Sequence, residues 1–184
     1  MKKSSIAVIL AVSVLSFSLG LWYSSPDNRM KSMEGSGSAT AKIVAASKNS
    51  DTGAIGEVNV QIIPGDGNIL VETDPFIQTD TQLSATKAKK VAEEVVGKSL
   101  ENHDVLYAIK MDSKVVGGPS AGAAMTLATI AAMTDREVRK DAIVTGTITE
   151  SGRIGKVGEI PVKAYTAGKA GIEDFYVPEG QSIK

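Results

Sequence analysis

The sequence has no cysteine among its 184 residues and a single histidine, His103. Without cysteine the chain forms neither a disulfide nor a thiolate metal site. Zinc sites need several histidine, cysteine or carboxylate ligands, and a Ser-His-Asp triad would have to use His103. His103 lies between an amphipathic segment and an apolar one, a position typical of an exposed polar residue. We therefore predict no metal, no cofactor and no catalytic histidine.

Aromatic side chains and excess charge are scarce as well. Aromatic residues make up 4% of the chain, and the formal net charge is -1, from 20 basic and 21 acidic residues. Few aromatic rings leave few surfaces for stacking bases, and intermixed charges provide no positive field for a polyanion. Nucleic acid is therefore not an expected partner.

A nucleotide-binding phosphate cradle is missing too, because no stretch fits the pattern G-x-x-x-x-G-K-[ST]. The glycine-rich string Gly35–Ser38 lacks the lysine of such a cradle and is interpreted as linker. We expect no ATP-driven unfolding by this chain itself.

The first 23 residues are typical of a targeting segment. Lys2 and Lys3 precede an apolar run from Ile6 to Tyr23, which is near the lower limit of length for crossing a bilayer. Trp22 and Tyr23 suit a membrane interface, and the two lysines favour the cytoplasmic side. We predict a retained single-pass anchor with the rest of the chain on the extracytoplasmic side. Cleavage of the segment, which would release a secreted protein, is the alternative.

Apolar patterning divides the rest of the chain into a linker and one domain. Residues 24–41 are rich in serine, glycine and other polar residues, which predicts a flexible linker before a folded domain at 42–184. Periodicity predicts strands at 43–46, 54–63, 68–73, 105–111, 142–148 and 174–177, and helices at 81–100, 121–133 and 162–170. The turn Pro64–Gly67 is predicted to join the second and third strands as a hairpin. This mixed order predicts an α+β fold, with helices packed on a mixed sheet.

A serine at the start of a buried helix is the first candidate for chemistry. The segment Gly117-Gly118-Pro119-Ser120-Ala121 joins a strand to an almost wholly apolar helix, and Pro119 favours the first helical turn. Backbone N–H groups and the positive helix end at Ser120 could stabilise the oxyanion of a tetrahedral intermediate. A serine that merely caps the helix is the ordinary alternative.

A lysine near a second helix start is the candidate base. Lys163 follows Pro161 by two residues, so it lies in a first helical turn, where the positive helix end disfavours an ammonium group. Apolar neighbours such as Ile160 and Val162 would desolvate the amine, and a lysine with a lowered pKa can accept a proton. A solvated surface lysine is the alternative.

Three motifs occur together and in order: Gly118–Gly122 (GPSAG), Asp141–Thr149 (DAIVTGTIT) and the glycine-rich approach to Lys163. In this combination the chain resembles the proteolytic domain of Lon proteases, whose fold is similar to the second domain of a ribosomal small-subunit protein. The resemblance implies that Ser120 is the nucleophile and Lys163 the general base of a Ser-Lys dyad. It also implies that Thr145 helps to orient the lysine amine, and that Gly118 and Ala121 position the backbone or serve the oxyanion.

Differences from the family pattern concern the surroundings of the dyad. Gly117 stands where many Lon proteins carry an acidic residue, Thr147 replaces a frequent glutamate, and Glu159 replaces the second glycine of a Gly-Gly pair. The chain also ends soon after Val177–Gly180, where such domains usually continue. We therefore expect a domain that lacks its last elements or is unusually short.

The resemblance implies a serine endopeptidase that hydrolyses unfolded or flexible polypeptides. It further implies a homo-oligomer, such as a hexamer, and leaves room for a separate ATPase or substrate-selecting partner. A non-catalytic, membrane-anchored binding or scaffold domain that keeps the fold is the alternative from another functional class.

Overall fold

The computed structural model of the chain describes residues 31–46, 52–72, 74–112 and 115–182. The predicted anchor at residues 1–23 and the start of the predicted linker lie outside these ranges. Within the ranges, none of the helices has the length and apolar character needed to cross a membrane.

Three α-helices and twelve strands make up the described part of the chain. The helices are α1 (Thr79–Val96), α2 (Gly122–Met133) and α3 (Ile160–Lys169), and a 3-10 turn, Pro119–Ala121, precedes α2. The strands are β1 (Lys31–Ser32), β2 (Gly37–Ala46), β3 (Gly53–Pro64), β4 (Ile69–Val71), β5 (Phe76–Ile77), β6 (Lys98–Ser99), β7 (His103–Met111), β8 (Val115–Val116), β9 (Ala142–Val144), β10 (Thr147–Ile148), β11 (Ile154–Gly155) and β12 (Asp174–Tyr176).

A four-stranded sheet in the order β2-β3-β7-β4 forms the centre of the domain. β3 runs antiparallel to both β2 and β7, whereas β4 runs parallel to β7. Four two-stranded pairs surround it: β1 with β6, β5 with β8 and β9 with β12 are parallel, and β10 with β11 is antiparallel. This arrangement confirms the predicted α+β fold with helices packed on a mixed sheet.

The main core lies between this sheet and the helices α1 and α2. Val58, Val60 and Ile62 alternate along β3 and are fully buried, as the two-residue period of a strand requires. Full burial of such a side chain contributes about 1.5–3 kcal/mol. The two helices contribute mainly small side chains: Ala85, Ala88, Ala92, Ala124, Ala128 and Ala132. These alanines let the helix backbones approach the sheet closely.

The folded domain begins earlier than the predicted boundary at residue 42. Residues 37–41 belong to β2, where Gly37 pairs with Ile62 and Ala41 with Val58. A side chain at Gly37 would collide with the carbonyl of Ala132 at the end of α2. The small polar residues of this segment therefore permit close packing, and their interpretation as flexible linker was wrong.

The turn after β3 does not form the predicted hairpin, because β7 lies between β3 and β4. Residues 65–67 instead wrap around the start of β7. The Asp104 carboxylate accepts hydrogen bonds from the backbone N–H groups of Asp66 and Asn68, at 3.0 and 2.8 Å. These bonds, led by the one from Asn68, lower the pKa of Asp104. The position of the turn was predicted correctly, but the predicted pairing of β3 with β4 was wrong.

Two further predicted elements end differently in the structure. α1 stops at Val96, because Gly97 adopts a left-handed conformation with a φ of 70° and its N–H binds the Glu93 carbonyl. The predicted strand 142–148 is divided into β9 and β10, which pair with different partners. The break falls at Thr145 and Gly146.

His103 is buried, contrary to the expectation of an exposed junction residue. Its side chain is 5% exposed, and its Nε2 lies 2.7 Å from the carbonyl oxygen of Gly35. The histidine thus fastens the segment before β2 to the start of β7.

Tyr107 connects the sheet to α2 through a buried hydroxyl pair. Its hydroxyl lies 2.8 Å from Oγ1 of Thr129, which itself donates to the carbonyl of Met125. The Tyr107 hydroxyl is therefore the donor of this pair, and burial raises its pKa, which keeps it protonated. Tyr107→Phe is expected to lower the free energy of unfolding by about 1 kcal/mol, because one buried hydrogen bond is lost.

Urea unfolding followed by circular dichroism measures this change. Tyr165→Phe is the matched control, since Tyr165 is 62% exposed, and it should leave the unfolding midpoint in place. Equal stability of the Tyr107 variant and the wild type would contradict the importance of this contact.

Candidate active site

Ser120 lies in a backbone segment of special geometry between β8 and α2. Gly118 adopts φ 89° and ψ 142°, a conformation open to glycine and unfavourable for other residues. Pro119 then begins the 3-10 turn that contains Ser120 and leads into α2. Ser120 is partly exposed at this helix start. The sequence correctly predicted the position of the serine at a helix N-terminus.

Gly146, between β9 and β10, binds the backbone on either side of the start of α2. The N–H of Gly146 donates to the carbonyl of Ser120 at 2.9 Å, and the N–H of Ala123 donates to the carbonyl of Gly146 at 3.0 Å. The hydroxyl of Thr145 lies 3.4 Å from the same Ser120 carbonyl. The N–H of Thr145 still donates to the carbonyl of Tyr176 in β12 at 3.0 Å, whereas both backbone groups of Gly146 bind the start of α2.

Lys163 is buried in the first turn of α3. Its side chain is 4% exposed, and its Nζ donates to Oγ1 of Thr145 at 3.4 Å. Burial lowers the pKa of the Lys163 amine, while the nearby carboxylate of Glu159 acts in the opposite direction. The net direction is downward, which makes the neutral amine more accessible than that of an exposed lysine.

Ser120 and Lys163 line the same pocket, which has a volume of about 390 Å³. Its other walls come from the residues around the two side chains: Ala46, Asp80, Gly117, Gly118, Pro119, Thr147, Lys156, Val157, Gly158 and Glu159. In the described part of the chain, the Ser120 hydroxyl and the Lys163 amine do not form a hydrogen bond with each other. Thr145 connects them instead, because its Oγ1 approaches both the Lys163 amine and the Ser120 carbonyl.

The N–H of Gly118, a residue predicted to position the backbone or to serve the oxyanion, is bound by a side chain of α1. Both carboxylate oxygens of Asp80, at the start of α1, accept from the N–H of Gly118, at 3.0 and 3.1 Å. This N–H is therefore engaged, and the contact serves backbone positioning. Ala121, the other backbone residue predicted here, is the N-cap residue of α2. Sequence reasoning did not single out Asp80, since an acidic residue in a first helical turn is common.

A separate apolar groove of about 540 Å³ lies at the C-terminal ends of α1 and α2, beside β9. Val95, Leu127 and Tyr176 are among its lining residues. Ser120, Thr145 and Lys163 do not line it. The smaller pocket is therefore the candidate site, because a serine at a helix start and a buried lysine both line it.

A family model described as the Lon protease (S16) C-terminal proteolytic domain matches residues 32–183. The chain belongs to this family. Lon protease 2 of Syntrophobacter fumaroxidans is 36% identical over 96 residues, which cover 52% of this chain and 12% of that protein. Lon protease of Phenylobacterium zucineum is 33% identical over 119 residues, 62% of this chain and 15% of that protein. Lon protease 1 of Myxococcus xanthus is 28% identical over 131 residues, 69% of this chain and 16% of that protein.

The matched part of the chain thus corresponds to a small share of these relatives' length. The family match extends from β2 through Ser120 to α3, so one Lon proteolytic domain contains all the candidate site residues. The family match begins before β2 (Gly37–Ala46), whereas the predicted domain boundary at residue 42 falls within that strand.

The buried amine of this Lon proteolytic domain predicts a pH-dependent stability. The pKa of Lys163 is lower in the folded than in the unfolded chain, so the unfolded chain binds more protons between the two values. Wild-type stability must therefore increase as the pH rises from the folded pKa towards 10.5. Lys163→Met removes the free-energy cost of burying a charged amine, so this variant should be more stable than the wild type at neutral pH. The difference should shrink towards pH ~10.

Urea unfolding at several pH values gives the comparison. Lys140→Met, at an exposed lysine, is the control, and its difference in stability from the wild type should not change with pH in this way. A Lys163→Met variant that is less stable than the wild type at neutral pH would show that the amine is stabilised by the fold.

Proposed function

We propose that this chain is a serine endopeptidase, with Ser120 as the nucleophile and Lys163 as the general base. The observation that carries the proposal is the shared pocket, into whose walls the structure brings a serine at a helix start and a buried lysine. Membership of the Lon family and similarity to proteins named Lon protease support the same activity.

The chemistry follows from these positions. The Ser120 hydroxyl oxygen attacks the carbonyl carbon of the peptide bond, and its proton passes to the neutral Lys163 amine. The resulting ammonium group returns that proton to the leaving amine as the C–N bond breaks, which leaves an acyl-serine. A water then attacks the ester and gives its proton to Lys163, and Ser120 regains a proton as the acid product leaves. Thr145 orients the amine throughout.

The substrates are proposed to be unfolded or flexible polypeptides. The pocket is open to solvent between the nucleophile segment and the start of α3, which suits an extended chain better than a folded protein. A homo-oligomer, such as a hexamer, and a separate ATPase or substrate-selecting partner belong to the same proposal by family resemblance. No ATPase function is proposed for this chain.

The location proposed for the domain rests on the N-terminal sequence. Lys2 and Lys3 followed by the apolar run Ile6 to Tyr23 favour a single-pass membrane anchor, with the proteolytic domain on the extracytoplasmic side. Removal of the segment would make the same domain a secreted protein.

Loss of either dyad member is expected to abolish cleavage of fluorescein-labelled casein by the full chain. Ser120→Ala removes the attacking oxygen, and Lys163→Ala removes the base, so each variant should retain less than about 1% of the wild-type rate. Ser151→Ala and Lys140→Ala, at exposed positions, are matched controls. Circular dichroism establishes that all four variants fold. Equal background from the wild type and both dyad variants would instead favour a non-catalytic scaffold.

The pH dependence of cleavage provides an independent test of the base. The neutral Lys163 amine is the active form, so kcat/KM should rise with pH as the amine loses its proton. Because burial lowers the pKa of this lysine, the midpoint of the rise should lie below 10.5, its ordinary value. A rate that is highest in acid and falls through the neutral range would argue against Lys163 as base.

A further inference from the structure

The first turn of α1 contacts three consecutive residues that precede the nucleophile. The N–H of Gln78 donates to the carbonyl of Val116 at 2.9 Å. The side chain of Gln78 occupies the space that a side chain at Gly117 would need. Residues 116 and 117 are thus fixed by contacts with the residue that caps α1.

Gly118 receives the most contacts from this turn. Asp80 accepts from its N–H with both carboxylate oxygens, at 3.0 and 3.1 Å. The hydroxyl of Thr81 donates to the Gly118 carbonyl at 3.1 Å. Thr81 is fully buried, whereas Asp80 is exposed at the pocket rim. Both polar groups of one glycine are therefore bound by two adjacent side chains.

These contacts hold Gly118 in an unusual backbone conformation. Its positive φ turns the chain sharply just before Pro119 and so sets the direction in which Ser120 enters the pocket. Glycine loses more backbone entropy than any other residue when it is fixed, and an unusual conformation persists when its surroundings enforce it. The side chains of Asp80 and Thr81 provide that enforcement before Ser120, as Gly146 does after it.

We infer that Asp80 and Thr81 are positioning residues of the peptidase, which hold Gly118 so that the Ser120 hydroxyl faces Lys163. The inference rests on the proposed peptidase function. Neither side chain takes part in proton transfer, and both act through the backbone of Gly118. Their loss should therefore reduce kcat and leave KM nearly unchanged.

An opposite role for Asp80 would leave a different signature. Its carboxylate occupies an N–H group two residues before the nucleophile and could block a donor that a reacting carbonyl needs. Removal of a blocking carboxylate would increase kcat. Removal of a positioning carboxylate decreases it, so the sign of the change separates the two roles.

The experiment compares pairs of variants in the full chain. Thr81→Val keeps the shape and loses the hydroxyl, whereas Thr81→Ser keeps the hydroxyl. Asp80→Ala loses the acceptor, whereas Asp80→Asn keeps one side-chain oxygen. The controls are Thr86→Val and Glu94→Ala, both at exposed positions of α1. Peptide cleavage gives kcat and KM, and the rate of modification by a fluorophosphonate reports the reactivity of Ser120 directly.

Thr81→Val and Asp80→Ala should each lower kcat about 10- to 100-fold, with a KM change below about twofold. Fluorophosphonate modification should slow in parallel. Thr81→Ser should restore most of the rate, Asp80→Asn part of it, and the controls should match the wild type. Wild-type rates in folded Thr81→Val and Asp80→Ala would overturn the inference, as would a faster Asp80→Ala.

Two further outcomes keep the inference separate from the proposed function. A wild type that neither cleaves peptides nor reacts at Ser120 would refute the peptidase itself. If Thr81→Val and Asp80→Ala fail to fold, Thr81→Ser and Asp80→Asn decide the question, because Thr81→Ser keeps the hydroxyl and Asp80→Asn keeps the side-chain shape. An Asp80→Asn variant with wild-type kcat and a Thr81→Ser variant with reduced kcat would contradict the inference.

Discussion

The site depends on two backbone hydrogen bonds that Gly146 forms with the start of α2. Its N–H binds the carbonyl of Ser120, and its carbonyl accepts from the N–H of Ala123. These bonds draw the chain out of the strand ladder between β9 and β10. They leave no room for a side chain at Gly146, where a Cβ would collide with Ile154. The neighbouring Thr145 is thereby turned towards Lys163.

Close packing around this junction explains the small side chains of α2. At Gly122, a Cβ would lie 2.9 Å from atoms of Ile148, so β10 approaches the backbone of α2 directly. Further along α2, the alanines face the main sheet, and Gly37 of β2 meets the helix end. Small residues therefore allow one helix to contact the central sheet along its length and the Thr145 segment at its start. The position of Ser120 is a consequence of that packing.

Local patterns predicted the elements that bury a regular face. β3, β7, α2 and α3 were found with small boundary errors, because their apolar residues follow strand or helix periods. Pairing was harder to predict, since β7 enters between β3 and β4 through contacts distant in sequence. The start of β2 was missed for a similar reason. Its small residues are selected by the neighbouring helix and carry no apolar signal of their own.

The residues of the candidate site also fall into two groups, those that local patterns predict and those that depend on contacts distant in sequence. Ser120 and Lys163 could be proposed from Pro-initiated helix starts and from the order of three motifs, and Thr145 from the motif in between. Asp80 and Thr81 could not be proposed, because they lie 38 and 37 positions from Gly118 in the sequence. No local motif links the start of α1 to the segment before Ser120. His103 was misjudged because its burial depends on the carbonyl of Gly35, which lies in the segment interpreted as linker.

The electrostatic environment of Lys163 reflects a balance between two opposing effects. Burial lowers the pKa of the amine, and the Glu159 carboxylate raises it. Glu159 has a positive φ of 59°, which places it in the left-handed region. Glycine adopts this conformation with less strain than glutamate, so the backbone at this position disfavours the side chain that is found there. A fully desolvated lysine would be a weak base, since a strongly lowered pKa also lowers proton affinity. The carboxylate therefore limits the loss of basicity while the buried setting keeps the neutral amine accessible.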